Sequence, residues 1–406
     1  MYNNSLKIKN FGPIKEGYQE NDGFIPFNQL CVFCGTQGTG KSTVVKLYST
    51  FVWLEKAIVR GDFSPSYIEQ YNRFANKFLD YQGIKEYLKD NTELHYKGQS
   101  VEFIYKNKKI YVHLRANGDG EYERPQIMYF PAERTLLSVI EKAAGIKGMP
   151  QSLATMLEDY RLACRSFTRD LPLPINNLIF HYDALNQIVS LVSQDYKVRL
   201  SEASSGLQSL SPLYVTLRYL FDSVQKDGAT NISSEEQEKI DKRIYDILKD
   251  DTLGDEIRSK LIKKLSNNRN MRLISIIEEP EQNLFPDSQE KILHQLINLS
   301  AHQENQLLLT THSPYVLNYL MLAIKANEVA KVITDDKDLE ALQLIVPQTS
   351  YIEGEKVTVY QLSLDGTIKQ LETYENMPSD ANYLNQHMME INNRYSSLVE
   401  LQSLYE

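Results

Sequence analysis

The run Gly35-Thr36-Gln37-Gly38-Thr39-Gly40-Lys41-Ser42 combines the residue types that hold a phosphate. Glycines let backbone N–H groups wrap an anion with no side chain in the way, and a helix starting there adds the positive end of its dipole. A lysine at this spacing reaches the β and γ oxygens of a nucleotide, and the serine after it can ligate magnesium. The motif needs a strand before it and a helix after it. "QLCVFCG" reads as that strand, and Val44, Val45, Leu47, Tyr48, Phe51, Val52 and Leu54 then follow helical spacing on one wide apolar face. A turn that merely started a helix would not need Lys41 followed by Ser42. The expected cofactor-binding set is Gly35, Gln37, Gly38, Thr39, Gly40, Lys41, Ser42 and Thr43, with ATP and Mg2+ as ligands.

Hydrolysis also needs a carboxylate near the metal and a second one to orient the attacking water. "LISIIEEPEQNLFP" supplies both at the end of a buried apolar strand, the end where ligands sit in an open α/β sheet. Glu278 is assigned to the magnesium together with Ser42, and Glu279 to the water; a solvated acidic loop is the alternative. "LLLTTHSP" ends another apolar strand with His312, whose neutral imidazole could touch the γ-phosphate or the water. The catalytic set is thus Glu279, His312 and Lys41. Ser204-Ser205-Gly206 before a helix is a second N-terminal anion site, or else an ordinary N-cap.

These residues need a scaffold, and 406 residues with 42% hydrophobic content suffice for two or three units with a substantial core. No run approaches a membrane span and the N-terminus lacks a signal-peptide core, so a cytoplasmic protein with no membrane partner is expected. The formal net charge of −9 argues against a surface that grips nucleic acid everywhere. Two local basic groups leave DNA contact open: Arg258, Lys260, Lys263, Lys264, Arg269 and Arg272, and, on a meander, Lys106, Lys108, Lys109, His113 and Arg115. Three cysteines do not make a disulfide framework, and Cys31 and Cys34 lie on the strand before the phosphate turn, where burial is the expected role. The chain divides into a nucleotide-binding lobe with an antiparallel meander (1–135), a helical subdomain (136–200), the Ser-Ser-Gly turn and its helix (201–225), a charged helical insertion (226–270), a lobe with the acidic strand and His312 (271–350), and a C-terminal hairpin and helix (351–406).

In this order the segments "IKNFGPIKE", the turn at 35–42, "YFPAER", "ASSGLQS", "IIEEPEQNLFP" and "TTHSP" resemble the ABC-type ATPase head of the SMC, RecF and overcoming-lysogenization-defect families. Within that group the chain most resembles compact bacterial AAA-family ATP-binding proteins of anti-phage defence operons. The resemblance implies an α/β P-loop NTPase head with a mixed sheet core, an N-terminal antiparallel β part and helical insertions. It also implies a homodimer, or higher even oligomer, that sandwiches two ATP molecules, with Ser204, Ser205 and Gly206 of one subunit covering the γ-phosphate held by the other. The chain departs from the family pattern at several points. The signature turn is Ala-Ser-Ser-Gly-Leu-Gln, Glu278 stands at the usual aspartate, no glutamine occurs in Phe130-Pro131-Ala132-Glu133-Arg134, and Phe285 replaces a common Asp or His. Slow turnover is the expectation.

No heptad pattern is sustained between Lys41 and Glu278, which excludes long coiled-coil arms. Fewer than about a hundred residues follow His312, short of a TOPRIM nuclease domain, so nuclease activity is expected in a partner. The leading expectation is an ATP-hydrolysing switch that controls a nuclease or toxin effector, in phage defence by resemblance. The alternatives are a DNA-repair or chromosome-maintenance ATPase and a scaffold that keeps ATP as a structural ligand.

Overall fold

The computed structural model describes residues 4–115, 122–140, 148–167, 169–225, 242, 245, 248, 249, 271–301 and 304–405. β1 (Ser5–Lys9), β2 (Gly17–Tyr18), β3 (Phe24–Pro26) and β4 (Leu30–Gly35) lead into helix α1 (Lys41–Arg60). Alternation in Ser-Leu-Lys-Ile-Lys turns Leu6 and Ile8 inward, so β1 buries one face while pairing antiparallel with β3 and with β5 (Glu93–Lys97). β6 (Val101–Lys106) and β7 (Lys109–Leu114) complete a five-stranded antiparallel sheet. Asn107 and Lys108, both at positive φ, make the two-residue turn between them.

β8 (Pro125–Phe130) and helix α2 (Gln151–Ser166) follow. The region 136–200, expected to be helical, is helical only in its first part. β9 (Leu171–Pro172), β10 (Ile179–Asp183), β11 (Ile188–Val192) and β12 (Lys197–Arg199) form a four-stranded antiparallel sheet. Ile-Phe-His-Tyr-Asp and Ile-Val-Ser-Leu-Val are β-branched and aromatic runs. Asp183 Oδ1 accepts the N–H groups of Leu185 and Asn186, which closes the hairpin turn between them.

The chain then forms α3 (Ser205–Gln225), β13 (Arg272–Glu278), α4 (Pro286–Ser300), β14 (Gln306–Thr311), α5 (Pro314–Ala330), α6 (Asp336–Ile345), β15 (Val357–Leu362), β16 (Thr367–Gln370) and α7 (Tyr383–Ser403). The charged insertion expected at 226–270 lies outside the described residues apart from four isolated positions. The central seven-stranded sheet has the order β2-β16-β15-β4-β14-β13-β8, and β15 through β8 in that order run parallel. Segments expected as separate units therefore share one sheet, because β4 satisfies its backbone groups between β14 and β15, which come from two other segments.

β4, β13 and β14 are buried along their whole length, as parallel strands covered on both faces must be. Their side chains still alternate. Leu30, Val32, Cys34, Leu307 and Leu309 pack with α2, α3 and α4 on one face. Cys31, Phe33 and Leu308 pack with α1 and the antiparallel sheet on the other. Three-residue spacing thus sends Cys31 and Cys34 to opposite faces, both are free thiols, and burial pushes each up to about 12. The fold is α/β with a mixed sheet core and an N-terminal antiparallel part, as expected. Among the described residues no helix exceeds 21 residues and none is long and apolar enough to cross a membrane.

Candidate nucleotide site

β4, β14 and β13 end side by side, with Cys34 opposite Thr311 and Thr310 opposite Glu278. Their C-terminal ends carry the Gly35 turn, His312 and the Glu278-Glu279 pair. Gly40 stands at φ 99°, the left-handed conformation that lets the turn enter α1 directly, and Lys41 is the first residue of that helix. The Lys41 ammonium is nearly buried; it donates to the carbonyls of Gly35 and Thr36, both at 2.9 Å. The Thr39 hydroxyl braces the same turn through the Thr36 carbonyl, and Thr43 is buried. Gln37 and Gly38 are exposed at the tip and Ser42 is half-buried.

A polar chain runs from the turn to the acids. Lys41 Nζ lies 3.3 Å from His312 Nδ1, and His312 Nε2 lies 3.3 Å from Glu279 Oε1. The Lys41 ammonium has only donors to offer Nδ1, and the Glu279 carboxylate only acceptors to offer Nε2. The hydrogen bond from His312 is the main reason that Glu279 sits below the usual carboxylate range, with Lys41 and Arg134 adding positive field. Glu279 adopts φ 44°, a conformation that a glutamate holds only when its surroundings fix it. Its N–H donates to the Thr310 carbonyl at 2.9 Å.

Glu278 is 4% exposed, and its Oε1 has no hydrogen-bond partner. Such a buried acceptor fits a magnesium ion held by one carboxylate, Ser42 and phosphate oxygens rather than by an all-protein cage. Among the described residues no group of three or more His, Cys, Asp or Glu is placed to hold a metal.

Two residues were not legible as parts of this site. Arg134 is fully buried; it donates through Nη1 to the Glu278 carbonyl and through Nη2 to the Glu279 carbonyl, both at 2.6 Å, and through Nε to the Ser209 carbonyl at 3.2 Å. Arg134 closes the segment that lacks a glutamine, and here it fixes the backbone of the acidic turn and ties it to α3. Glu281 accepts from the Thr311 hydroxyl at 2.7 Å and the His312 N–H at 2.8 Å, which sets the histidine turn. Burial pushes this carboxyl up. Its sequence signal was the third acid of Glu-Glu-Pro-Glu.

Ser204 and Ser205 are exposed at the start of α3, and Gly206 packs against the loop after the acidic strand. A β-carbon on Gly206 would stand 2.6 Å from the Asn283 carbonyl. The structure thus joins the Ser-Ser-Gly turn to the acidic turn, and it joins Lys41, His312 and Glu279 to one another.

The basic groups come out differently from the sequence expectation. Arg272 is 2% exposed at the start of a buried strand and is no part of a surface patch, and positions 258–269 lie outside the described residues. Lys106 pairs with Glu93 and Lys108 with Asp90, each at 2.7 Å, so acids next to the meander offset two of its cations.

The burial of Lys41 has a consequence for binding. Burial pulls its ammonium down to about 8, with Glu279 the largest opposing influence. A triphosphate favours the charged form and raises the value again. Between about pH 8 and the higher bound value, nucleotide binding therefore takes up a proton, and affinity weakens by up to about tenfold per pH unit as pH rises. Calorimetry at about pH 8.5 in two buffers of different ionisation heat measures that proton, and identical heats in the two buffers would refute it.

By fold and site this is a P-loop head, with a phosphate turn, an acidic strand end and a histidine gathered on one edge of a parallel sheet. The AAA ATPase domain family matches residues 256–317. Among solved structures the chain is similar to an SMC head bound to the C-terminal winged-helix domain of ScpA, at 9% identity over 91% of this chain and 97% of that one, TM-score 0.40. It is also similar to the SMC head domain from Thermotoga maritima, at 11% identity over 92% and 99%, TM-score 0.37. A third is a dimeric ATP-binding cassette bound to ADP and Pi, at 11% identity over 92% and 99%, TM-score 0.27. No curated protein matches the sequence.

Proposed function

We infer that the protein binds and hydrolyses ATP as a molecular switch. The observation that carries this reading is the chain Lys41–His312–Glu279, set beside a buried Glu278 whose Oε1 is unsatisfied. In this reading Lys41 exchanges its two turn carbonyls for β and γ oxygens of ATP, and the glycine-turn N–H groups complete the phosphate cradle. Glu279, held ionised, orients a water and accepts its proton, while His312 keeps the carboxylate aimed at the γ-phosphate. Magnesium held by Ser42 and Glu278 would neutralise charge on the phosphates.

Two copies of the head closing over two ATP molecules would give the exposed Ser204 and Ser205 a ligand, because their own chain places them beside the acidic turn rather than the phosphate turn. Control of a nuclease or toxin effector in anti-phage defence is the reading that the family resemblance favours. The offset cations of the meander make a DNA-sensing head the weaker choice.

Lys41→Ala tests the reading at its base. Removing one partner of a buried charge contact should weaken ATP binding by about 100-fold, close to 2.7 kcal/mol. Equilibrium binding of a fluorescent ATP analogue reads this, and an unchanged affinity would overturn the phosphate-cradle assignment.

A further inference from the structure

A cavity of about 330 Å³ lies between α1, β8, the first turns of α2 and the segment 77–82. Its α1 wall runs from Ser49 to Trp53, about 12 to 18 Å along the helix from Lys41, so it is separate from the phosphate turn. The approach to the cavity has costly backbone. Tyr71 and Asn72 both stand at positive φ, 55° and 54°, and a π-helical turn, Phe74–Leu79, follows them. Such conformations collect at ligand sites, and this turn carries Lys77 and Phe78, which both line the cavity.

The walls say what kind of ligand fits. Trp53, Phe78 and Tyr81 supply aromatic surface for a planar ring; the Trp53 and Phe78 rings are 6.0 Å apart, and Trp53 is 40% exposed, so its ring is open to a ligand. Gln82 is 5% exposed. Its Nε2 donates to the Ser49 hydroxyl at 3.5 Å, while its Oε1 has no hydrogen-bond partner and would accept a ring N–H or amino group. Charge comes from Lys77, which is exposed. Its ammonium lies over the Phe63 and Phe78 rings, 4.7 and 5.6 Å from their centres, and reaches the Tyr67 hydroxyl at 3.5 Å; among the described residues no carboxylate pairs with it. Tyr81 instead feels the carboxylates of Asp159 and Glu158, which directs an anionic ligand group to Lys77. A planar ring with N–H donors at one end and an anion at the other describes a nucleotide.

We propose that this cavity binds a single nucleotide, with its base among Trp53, Phe78 and Tyr81, an N–H of the base on Gln82 Oε1 and its phosphate at Lys77. The volume suits one small ligand of that size. The site stands apart from the phosphate turn and does not rest on the ATP reading above.

Trp53 is the only tryptophan in the chain, so intrinsic fluorescence reads the cavity directly. The titration uses AMP, GMP, CMP and UMP on full-length Lys41→Ala protein, which separates the cavity from the phosphate turn. At least one of the four should quench Trp53 saturably, with one ligand per chain. Thr155 is exposed on the cavity wall and bonds the Tyr81 hydroxyl at 2.7 Å, so Thr155→Phe adds a ring to that wall and should abolish the quench, with circular dichroism unchanged. Lys77→Ala should weaken the monophosphate by about tenfold and leave the matching nucleoside unchanged. No saturable quench by any of the four, a quench that survives Thr155→Phe, equal loss for nucleoside and monophosphate in Lys77→Ala, or a response to a single-stranded oligonucleotide alone would each overturn the proposal. Failure of the ATP reading would show separately, as Lys41→Ala binding ATP like wild type even with Thr155→Phe added.

Discussion

Glu279→Gln should lower ATP turnover by about 10²- to 10⁴-fold while ATP affinity stays near that of wild type. The amide keeps the size of the side chain and can still accept the hydrogen bond from His312, so the turn and the phosphate cradle are preserved. It cannot take a proton from water. The carboxylate is suited to that task because the His312 hydrogen bond, and then the fields of Lys41 and Arg134, hold it ionised. In the proposed cycle the variant binds ATP and stops, so phosphate release measured at saturating ATP should fall and the nucleotide-bound closed dimer should accumulate. Equal turnover by the variant and the wild type would remove Glu279 from the water-orienting role and favour the scaffold reading.

Arg134→Met should cost about 3 kcal/mol of stability, seen as a lower urea midpoint with an unchanged slope. Methionine fills similar volume, so the loss is not a cavity effect. What disappears is a fork of donors to the carbonyls of Glu278, Glu279 and Ser209 at the base of the site. Those carbonyls would remain buried with acceptor capacity unmet, and Glu279 would lose part of the support for its positive φ. Burial pulls the guanidinium down to about 10, which leaves it charged at neutral pH. Arg134→Lys should recover little, because one ammonium cannot span the three carbonyls of the fork. Turnover should fall with stability, since the same turn aims Glu279. A change below about 1 kcal/mol would show that water replaces the fork.

The candidate site was legible where its parts are local. The phosphate turn is eight consecutive residues, and its strand and helix are adjacent in the chain. Glu278, Glu279 and His312 stand at the ends of apolar runs, so their place at a strand terminus follows from the run itself. Glu281 was missed because its role is defined by Thr311 and the His312 N–H, thirty residues further along. Arg134 was not legible because its acceptors are backbone carbonyls 144 and 145 positions away, and carbonyls leave no mark in a sequence. Helical character was extended too far through 136–200, because the β-branched and aromatic runs at 179–183 and 188–192 pair with one another only through a turn that the helical assignment did not use.

What the sequence determined by itself is the chemistry on offer: a phosphate-wrapping turn, two acids at the end of a buried strand, a histidine at the end of another, and an α/β scaffold to carry them. Each depends on residue type and on periods of two to four residues, which act within one element. Only the tertiary structure decided which strands are neighbours, and hence that β14 between β4 and β13 brings His312 within 3.3 Å of both Lys41 and Glu279. It also decided that β15 joins this sheet, that Arg272 is core rather than surface, and that the Ser-Ser-Gly turn lies against the acidic turn of its own chain. Those outcomes follow from backbone pairing and side-chain packing between segments far apart in the chain, where each buried polar group needs a partner that the local sequence does not specify.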